Sequence, residues 1–405
     1  MRALAEWPRP TPDSGLGLPL GASIYDTRHR DLAMLEADHR LWQQMGIRWL
    51  KVFASGDSQL VSVKRYCDLG YEVILRLYSA GGPEILDRSW PVEDMQPYVQ
   101  AGVHYIEAFN EPEAELRLGE WPTQETIDRL AAAYVRFADA AAHAGAIPCT
   151  PAFQGDRTET WLRPFLRAVK AIGRQDALEG SAIAGHWRPA NHPPTHPPPG
   201  FVIRSYEVWA EIVQAEIGAV PPFLGTEAGY EPGDDQDKTM PKITLGLHAD
   251  YNVAQAQMEW PPYLFCQCWW LWQGPWGGSS WIENPIWREE HGAPGGVLPV
   301  VKVFCEMPKV QRWPVGEPLE PEAEWSEAEA SERIRERCWN ALYPAGGIAR
   351  NPLAAFQRET LNLGAPVTHE LRAGGWVFQG FVVAILACRE GEWDKVRRLS
   401  WTGGV

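Results

Sequence analysis

The chain has 405 residues, a formal net charge of −15, 21 tryptophans and 45% hydrophobic residues. Its length exceeds that of an ordinary single domain and accommodates a barrel of about 250 residues with an appendage. The acidic balance argues against nucleic acid, an anionic membrane surface or a strongly acidic polysaccharide as partner, since each needs clustered Lys and Arg, and no apolar run reaches the roughly 18 residues of a bilayer span.

The chain opens with Met1-Arg2-Ala3-Leu4-Ala5-Glu6-Trp7-Pro8, which lacks a long apolar stretch. No signal peptide is therefore visible, and the expected location is cytoplasmic or that of a secreted form already trimmed. From about residue 19, strand-like and helix-like segments alternate. Strands are predicted over 20–25, 49–53, 72–78, 105–110, 147–151, 182–187, 223–227 and 264–270. Helical patterns cover 31–45, 124–144, 158–172, 205–217, 241–258 and 299–305. The 124–144 helix has Thr123 placed to cap its start and Gly145 just past its end. Eight strands with helical patterns between most of them make an α/β fold, a (β/α)₈ TIM barrel over residues 1–312. The segments 185–200 and 273–296, rich in Pro, Gly, His and Trp, are expected to build a cleft above the strands. Beyond Arg312 the composition turns acidic. Residues 313–340 read as a linker running into a helix over 326–342, and 341–405 as a small C-terminal module of open role, with strand-like alternation over 375–388.

Two strand ends carry the chemistry. Tyr105-Ile106-Glu107-Ala108-Phe109-Asn110-Glu111-Pro112 is a run of β-formers that stops at a carboxylate, because the proline cannot continue a ladder. Pro222-Phe223-Leu224-Gly225-Thr226-Glu227 does the same on the seventh strand. Strand ends face the C-terminal mouth of a barrel, and strands four and seven lie across that mouth. Two carboxyl groups facing each other there match the requirement for cleaving a glycosidic bond with retention. One protonates the leaving oxygen, the other attacks the anomeric carbon, and they stand about 5–5.5 Å apart.

Asn110-Glu111-Pro112 on strand four with Thr226-Glu227 on strand seven resembles the clan A retaining glycoside hydrolases, over roughly residues 19–312. The resemblance implies a glycosidase that degrades a β-linked oligo- or polysaccharide by double displacement. Glu111 would be the acid/base, Glu227 the nucleophile, and Asn110 a hydrogen-bond partner of the sugar 2-hydroxyl. It further implies that His186 contacts the nucleophile or sugar, and that a strand-eight tryptophan, Trp270 or Trp272, forms the floor under the sugar. Trp187, Lys51, Arg76, Tyr78 and Tyr25, all near predicted strand ends, complete the expected substrate-binding set. Clan members often carry an Arg on strand two or four that binds the nucleophile; here Lys51 stands nearest.

A catalytically silent carbohydrate-binding barrel is the first alternative. A metal-dependent hydrolase is the second, since His186, His192 and His196 lie close in sequence, but their spacing fits no common site. No metal or cofactor is expected. The seven cysteines form no CxxC pair, and most read as buried thiols. Leu363-Gly364-Ala365-Pro366 and the following Gly-Gly-Trp resemble small repeats of cell-wall-associated bacterial proteins, which implies a glycan contact through the C-terminal module.

Overall fold

The computed structural model describes residues 2–21, 29, 31–55, 59–77, 82–119, 121–274, 277–284, 286–287 and 293–312, and, towards the C-terminus, 329–331, 333–335, 371–373, 375–381, 384–389, 391–392 and 395–400. The chain divides into two compact units, Met1–Trp313 and Pro314–Val405.

The first unit is a closed parallel barrel. Its strands are β1 (Leu16–Leu20), β2 (Trp49–Ala54), β3 (Glu72–Leu77), β4 (Tyr105–Glu107), β5 (Ile147–Pro148 and Phe153–Gln154, the two ends of one interrupted strand), β6 (Ile183–Trp187), β7 (Phe223–Ala228) and β8 (Leu264–Trp269). Each pairs in parallel with the next, and β1 pairs with β8, Leu16 beside Gln267. The lower end of β5 binds β4 and its upper end binds β6, while single bridges from Ala152 to Asn110 and from Cys149 to Ala182 complete both seams. The helices are α1 (Leu32–Met45), α2 (Leu60–Asp68), α3 (Val92–Gln100), α4 (Gln124–Ala144), α5 (Arg163–Ala171), the short α6 (Gln175–Glu179), α7 (Ser205–Ile217), α8 (Leu245–Gln257) and α9 (Pro299–Glu306). In α4, Thr123 Oγ1 accepts from the Thr126 amide at 3.2 Å, and Gly145 ends the helix at φ 89°. The expected TIM barrel is therefore present.

The first strand lies earlier than its composition suggests. Residues 20–25 read as a strand, but the ladder runs over Leu16–Leu20, whose glycine and proline disguised it. Tyr25 lies outside the described residues.

Two apolar layers divide the core. One fills the barrel, with Trp49, Tyr105, Ile74 and Leu224 among Cys149, Ala152, Ala182, Ala184, Cys266 and Cys268. Small side chains on β5, β6 and β8 leave room for the large rings of β2 and β4. The other layer lies between strands and helices. The N-terminal segment closes the floor: Trp7 joins the interior cluster, Tyr105 donates to the Pro8 carbonyl at 2.6 Å, and Asp13 accepts from Trp49 Nε1 at 2.9 Å. Among the described residues no helix is long and apolar enough to cross a membrane.

In the second unit, β9 (Leu371–Ala373), β10 (Trp376–Gly380), β11 (Ile385–Arg389) and β12 (Arg397–Leu399) form an antiparallel meander. The alternation over 375–388 is thus two strands, because the chain reverses after Phe381 and Phe381 N–H donates to the Ala384 carbonyl. Residues 329–331 and 333–335 are helical, and Ala330 and Ile334 pack with Trp376, Phe378 and Ile385.

The interior layer is tight at Gly17, where an added Cβ would lie 2.7 Å from Cys268 Sγ and 2.9 Å from Trp49 Cβ. Gly17→Ala should cost about 1–3 kcal/mol by overpacking, read as a lower urea midpoint at unchanged slope.

Candidate active site

One layer of side chains at the C-terminal ends of the strands gathers the polar groups. Strand register sets it: Arg76 is level with Glu107, and Gln154, His186 and Glu227 are level across β5, β6 and β7. A register shift at Gly185/His186 brings the histidine beside the β7 glutamate.

Lys51 stands at the centre, fully buried on β2. Its ammonium lies 2.7 Å from Asn110 Oδ1, 3.1 Å from Glu107 Oε1, 3.3 Å from Glu227 Oε1 and 3.5 Å from His186 Nε2. Burial alone would raise the Glu107 carboxyl, but the Lys51 charge, with Arg76 and His186 behind it, outweighs burial and holds it below the usual carboxylate range. Glu107 was not among the residues singled out in the sequence, where its position inside an apolar run concealed its charge partner.

Glu111 does not continue the β4 ladder. Asn110 makes a last bridge to Ala152, and Glu111 then turns at φ 39°, a left-handed conformation uncommon for a residue with a Cβ. The turn is held by its own amide on the Ala152 carbonyl at 2.8 Å, and by Ala114 and Glu115 amides on its carbonyl. It points the carboxylate at His186, with Oε1 2.6 Å from Nδ1. Because a carboxylate only accepts and an ammonium only donates, Glu111 places a proton on Nδ1 and Lys51 favours Nε2 as acceptor. Burial would raise the Glu111 carboxyl, yet His186 and a hydrogen bond from the Gln154 side chain bring it down to about 2. Polar atoms of Glu111, His186 and Glu227 all lie within 4.8 Å of one another. That cluster has the size of a cation site, but the Lys51 ammonium already stands against two of its three members and would repel a metal ion.

Asn110 is engaged at both ends, its Nδ2 donating to Glu115 Oε1 at 2.9 Å. Arg76, on β3, pairs with Glu115 and lies over the Phe53 ring at 4.7 Å. Glu113 is buried nearby, its Oε1 accepting from the Gln154 amide at 2.9 Å while Oε2 has no hydrogen-bond partner among the described residues. Burial pushes its carboxyl up to about 7.

Beyond the strands a cavity of about 160 Å³ is lined by Glu111, Gln154, His186, Arg188, Phe201 and Glu231, among others. Trp270 meets this lining through Arg188, whose guanidinium lies 5.5 Å from its ring. Two expected cleft residues lie elsewhere. Trp187 points outward and packs against Tyr206, Trp209 and Phe223, because alternation along β6 sends the residue after His186 to the helix side. Trp272 is buried in the outer shell, its Nε1 donating to Asp38 Oδ2 at 3.3 Å and its ring against Trp42 of α1. Trp269 likewise packs against Trp260 and Phe304. Tyr78 lies outside the described residues. The structure thus brings together Glu111, Glu227, Asn110, His186, Lys51 and Arg76, with Trp270 at the rim. It adds Glu107, Glu113, Glu115, Gln154, Arg188 and Glu231, of which Glu113 and Glu115 were legible in principle as further acids in the loop after Asn-Glu-Pro.

Lys51→Met should destabilise the protein by about 3–5 kcal/mol, because Glu107 would remain buried without its cation. Lys51→Met with Glu107→Met should be more stable than Lys51→Met alone in chemical denaturation; a strictly additive loss would show the two are uncoupled. Glu113 gives a pH signature. Its folded value, about 7, lies above the ordinary 4.5. Its contribution is fully present below about pH 4.5 and is lost as pH rises to about 7. The free energy of unfolding should therefore fall by roughly 3 kcal/mol more in the wild type than in Glu113→Gln across that window.

No protein-family profile and no curated protein matches the sequence. Among solved structures the chain is similar to a GH128 (subgroup I) endo-β-1,3-glucanase from Amycolatopsis mediterranei in complex with laminarihexaose, at 14% identity and a TM-score of 0.42, over 72% of this chain and 99% of that one. It is also similar to Saccharomyces cerevisiae Gas2p in complex with laminaritriose and laminaritetraose, at 11% identity and a TM-score of 0.41, over 72% of this chain and 62% of that one. Likenesses this distant carry no argument about activity or substrate.

Proposed function

We propose that the chain is a retaining O-glycoside hydrolase of the clan A type that cleaves a β-linked glycan by double displacement, with Glu111 as acid/base and Glu227 as nucleophile. The observation that carries this reading is the approach of the two glutamates across the barrel mouth, with carboxylate oxygens within 4.8 Å. Retention needs carboxyl groups about 5–5.5 Å apart, whereas inversion leaves roughly 6.5–9.5 Å for a water.

In the first step a Glu227 oxygen forms a bond to the anomeric carbon as the bond to the leaving oxygen breaks. That oxygen takes a proton from Glu111. In the sugar-free protein the His186 contact holds the Glu111 carboxyl down at about 2, so the acid role requires that the entering sugar part the two groups and that Glu111 take a proton from solvent before the leaving group departs. In the second step Glu111 takes a proton from water, whose oxygen attacks the anomeric carbon and releases Glu227. Lys51 fixes the orientation of Glu227 through Oε1, and Asn110 is held beside it to meet a sugar hydroxyl. Trp270 is the aromatic surface available to the sugar's C–H face.

The test separates the two carboxyl roles. A 2-deoxy-2-fluoroglycosyl inactivator should label the wild type at Glu227 and leave Glu227→Gln unlabelled, as read by peptide mass. Glu111→Ala should slow aryl glycosides with poor leaving groups by about 10²–10⁴ and dinitrophenyl glycosides far less. Equal losses on both substrate types would reverse or remove the assignment. Glycan binding with no turnover would make the barrel a binding module.

A further inference from the structure

Arg188 follows β6 and lies between the cavity and the nucleophile. Glu227 is only 3% exposed and does not line the cavity, whereas Arg188 does. The two Glu227 oxygens have different surroundings. Oε1 faces Lys51 at 3.3 Å and His186 at 3.5 Å. Oε2 faces the Arg188 guanidinium at 3.8 Å, close enough for charge attraction but beyond a hydrogen bond. The same guanidinium makes its tighter contact with Glu231, in the loop after β7. Glu231 is itself held by Ser279 Oγ, which donates to Oε2 at 2.5 Å from the loop after β8. The Trp270 ring supports the guanidinium from a third side.

Lys51 donates to Oε1, which weakens that oxygen as a nucleophile, so Oε2 is the atom placed to attack. We propose that Arg188 is a positioning residue whose guanidinium is held on Glu231 and so kept off Glu227 Oε2, leaving that oxygen to attack when a glycan fills the cavity. This inference rests on the glycosidase reading of the same site. It assigns Glu231 the task of keeping the guanidinium off the nucleophile. The chemical step is unchanged: Oε2 forms the bond to the anomeric carbon, the leaving group departs with its electron pair, and the arginine neither gains nor loses a proton.

The test uses the full chain and the rate of covalent labelling by 2-deoxy-2-fluoro-β-glucosyl, -mannosyl, -galactosyl and -xylosyl fluorides, split into a binding constant and a maximal rate. Glu231→Gln should let the guanidinium settle on Glu227 and lower the maximal labelling rate by about tenfold or more, with little change in the binding constant. Adding Arg188→Met to Glu231→Gln should raise that rate again, because the guanidinium is gone. Arg188→Gln serves where the methionine variant does not fold. A merely structural ion pair predicts the opposite, a double variant no faster than Glu231→Gln. Labelling of Glu231→Gln at the wild-type rate, or a double variant slower than Glu231→Gln alone, overturns the inference while leaving the glycosidase reading intact. A wild type that takes no label from any of the fluorides overturns that reading and the inference with it.

Discussion

The buried ammonium of Lys51 is the constraint on which the site depends. It touches groups from β4, β6 and β7 at once. A lone charge there would be prohibitive, and so would the glutamates without it. Each partner therefore fixes the others. Glu107 supplies the countercharge to Lys51 inside an apolar barrel. Lys51 in turn holds Glu227 Oε1 and the Asn110 amide in one orientation. Placing this network on strands rather than loops gives the carboxylates a rigid frame, which a reaction sensitive to ångström displacements requires.

A second level of order lies above the strands. Arg188, Glu231 and Ser279 come from the loops after β6, β7 and β8, and their contacts tie these loops into one wall. Further out, Asn191 and His192 bind Asp237 across the same two loops, with His192 Nε2 3.0 Å from Asp237 Oδ2 and the Asp237 amide on Asn191 Oδ1 at 2.8 Å. The histidines that might have suggested a metal centre are thus partly engaged in holding the wall of the cleft.

Most of the barrel was legible because buried parallel strands read as short apolar runs and their helices carry caps, as Thr123 and Gly145 show. The first strand was displaced because Gly17 and Pro19 look like a turn when read alone. The Asn-Glu-Pro motif and the second strand-end glutamate located the candidate centre. What stayed hidden was pairing. Lys51 with Glu107 are 56 positions apart, as 107 less 51, and neither residue announces the other. The tryptophans show the same limit differently. Trp269, Trp270 and Trp272 are equivalent in composition, but alternation and the irregular chain after β8 send only Trp270 towards the cleft. Glu111's backbone is a third case, since its left-handed turn depends in part on the Ala152 carbonyl, 41 positions away as 152 less 111, as well as on the nearby Ala114 and Glu115 amides.

The sealed floor has a consequence for how this chain reaches its native state. Leu16 and Gly17 find their ladder partners on β8, at Gln267 and Cys268, and Trp7 and Pro8 sit beneath rings carried by β2 and β4. These residues, early in the barrel's order, must therefore wait for β8 before the closing seam can form. Such long-range closure is slow, because loop entropy is spent well before the contacts return it. During that interval Trp49 and Tyr105 face an open lower end, the surface on which a nascent barrel is most exposed to association with other chains and most in need of a chaperone.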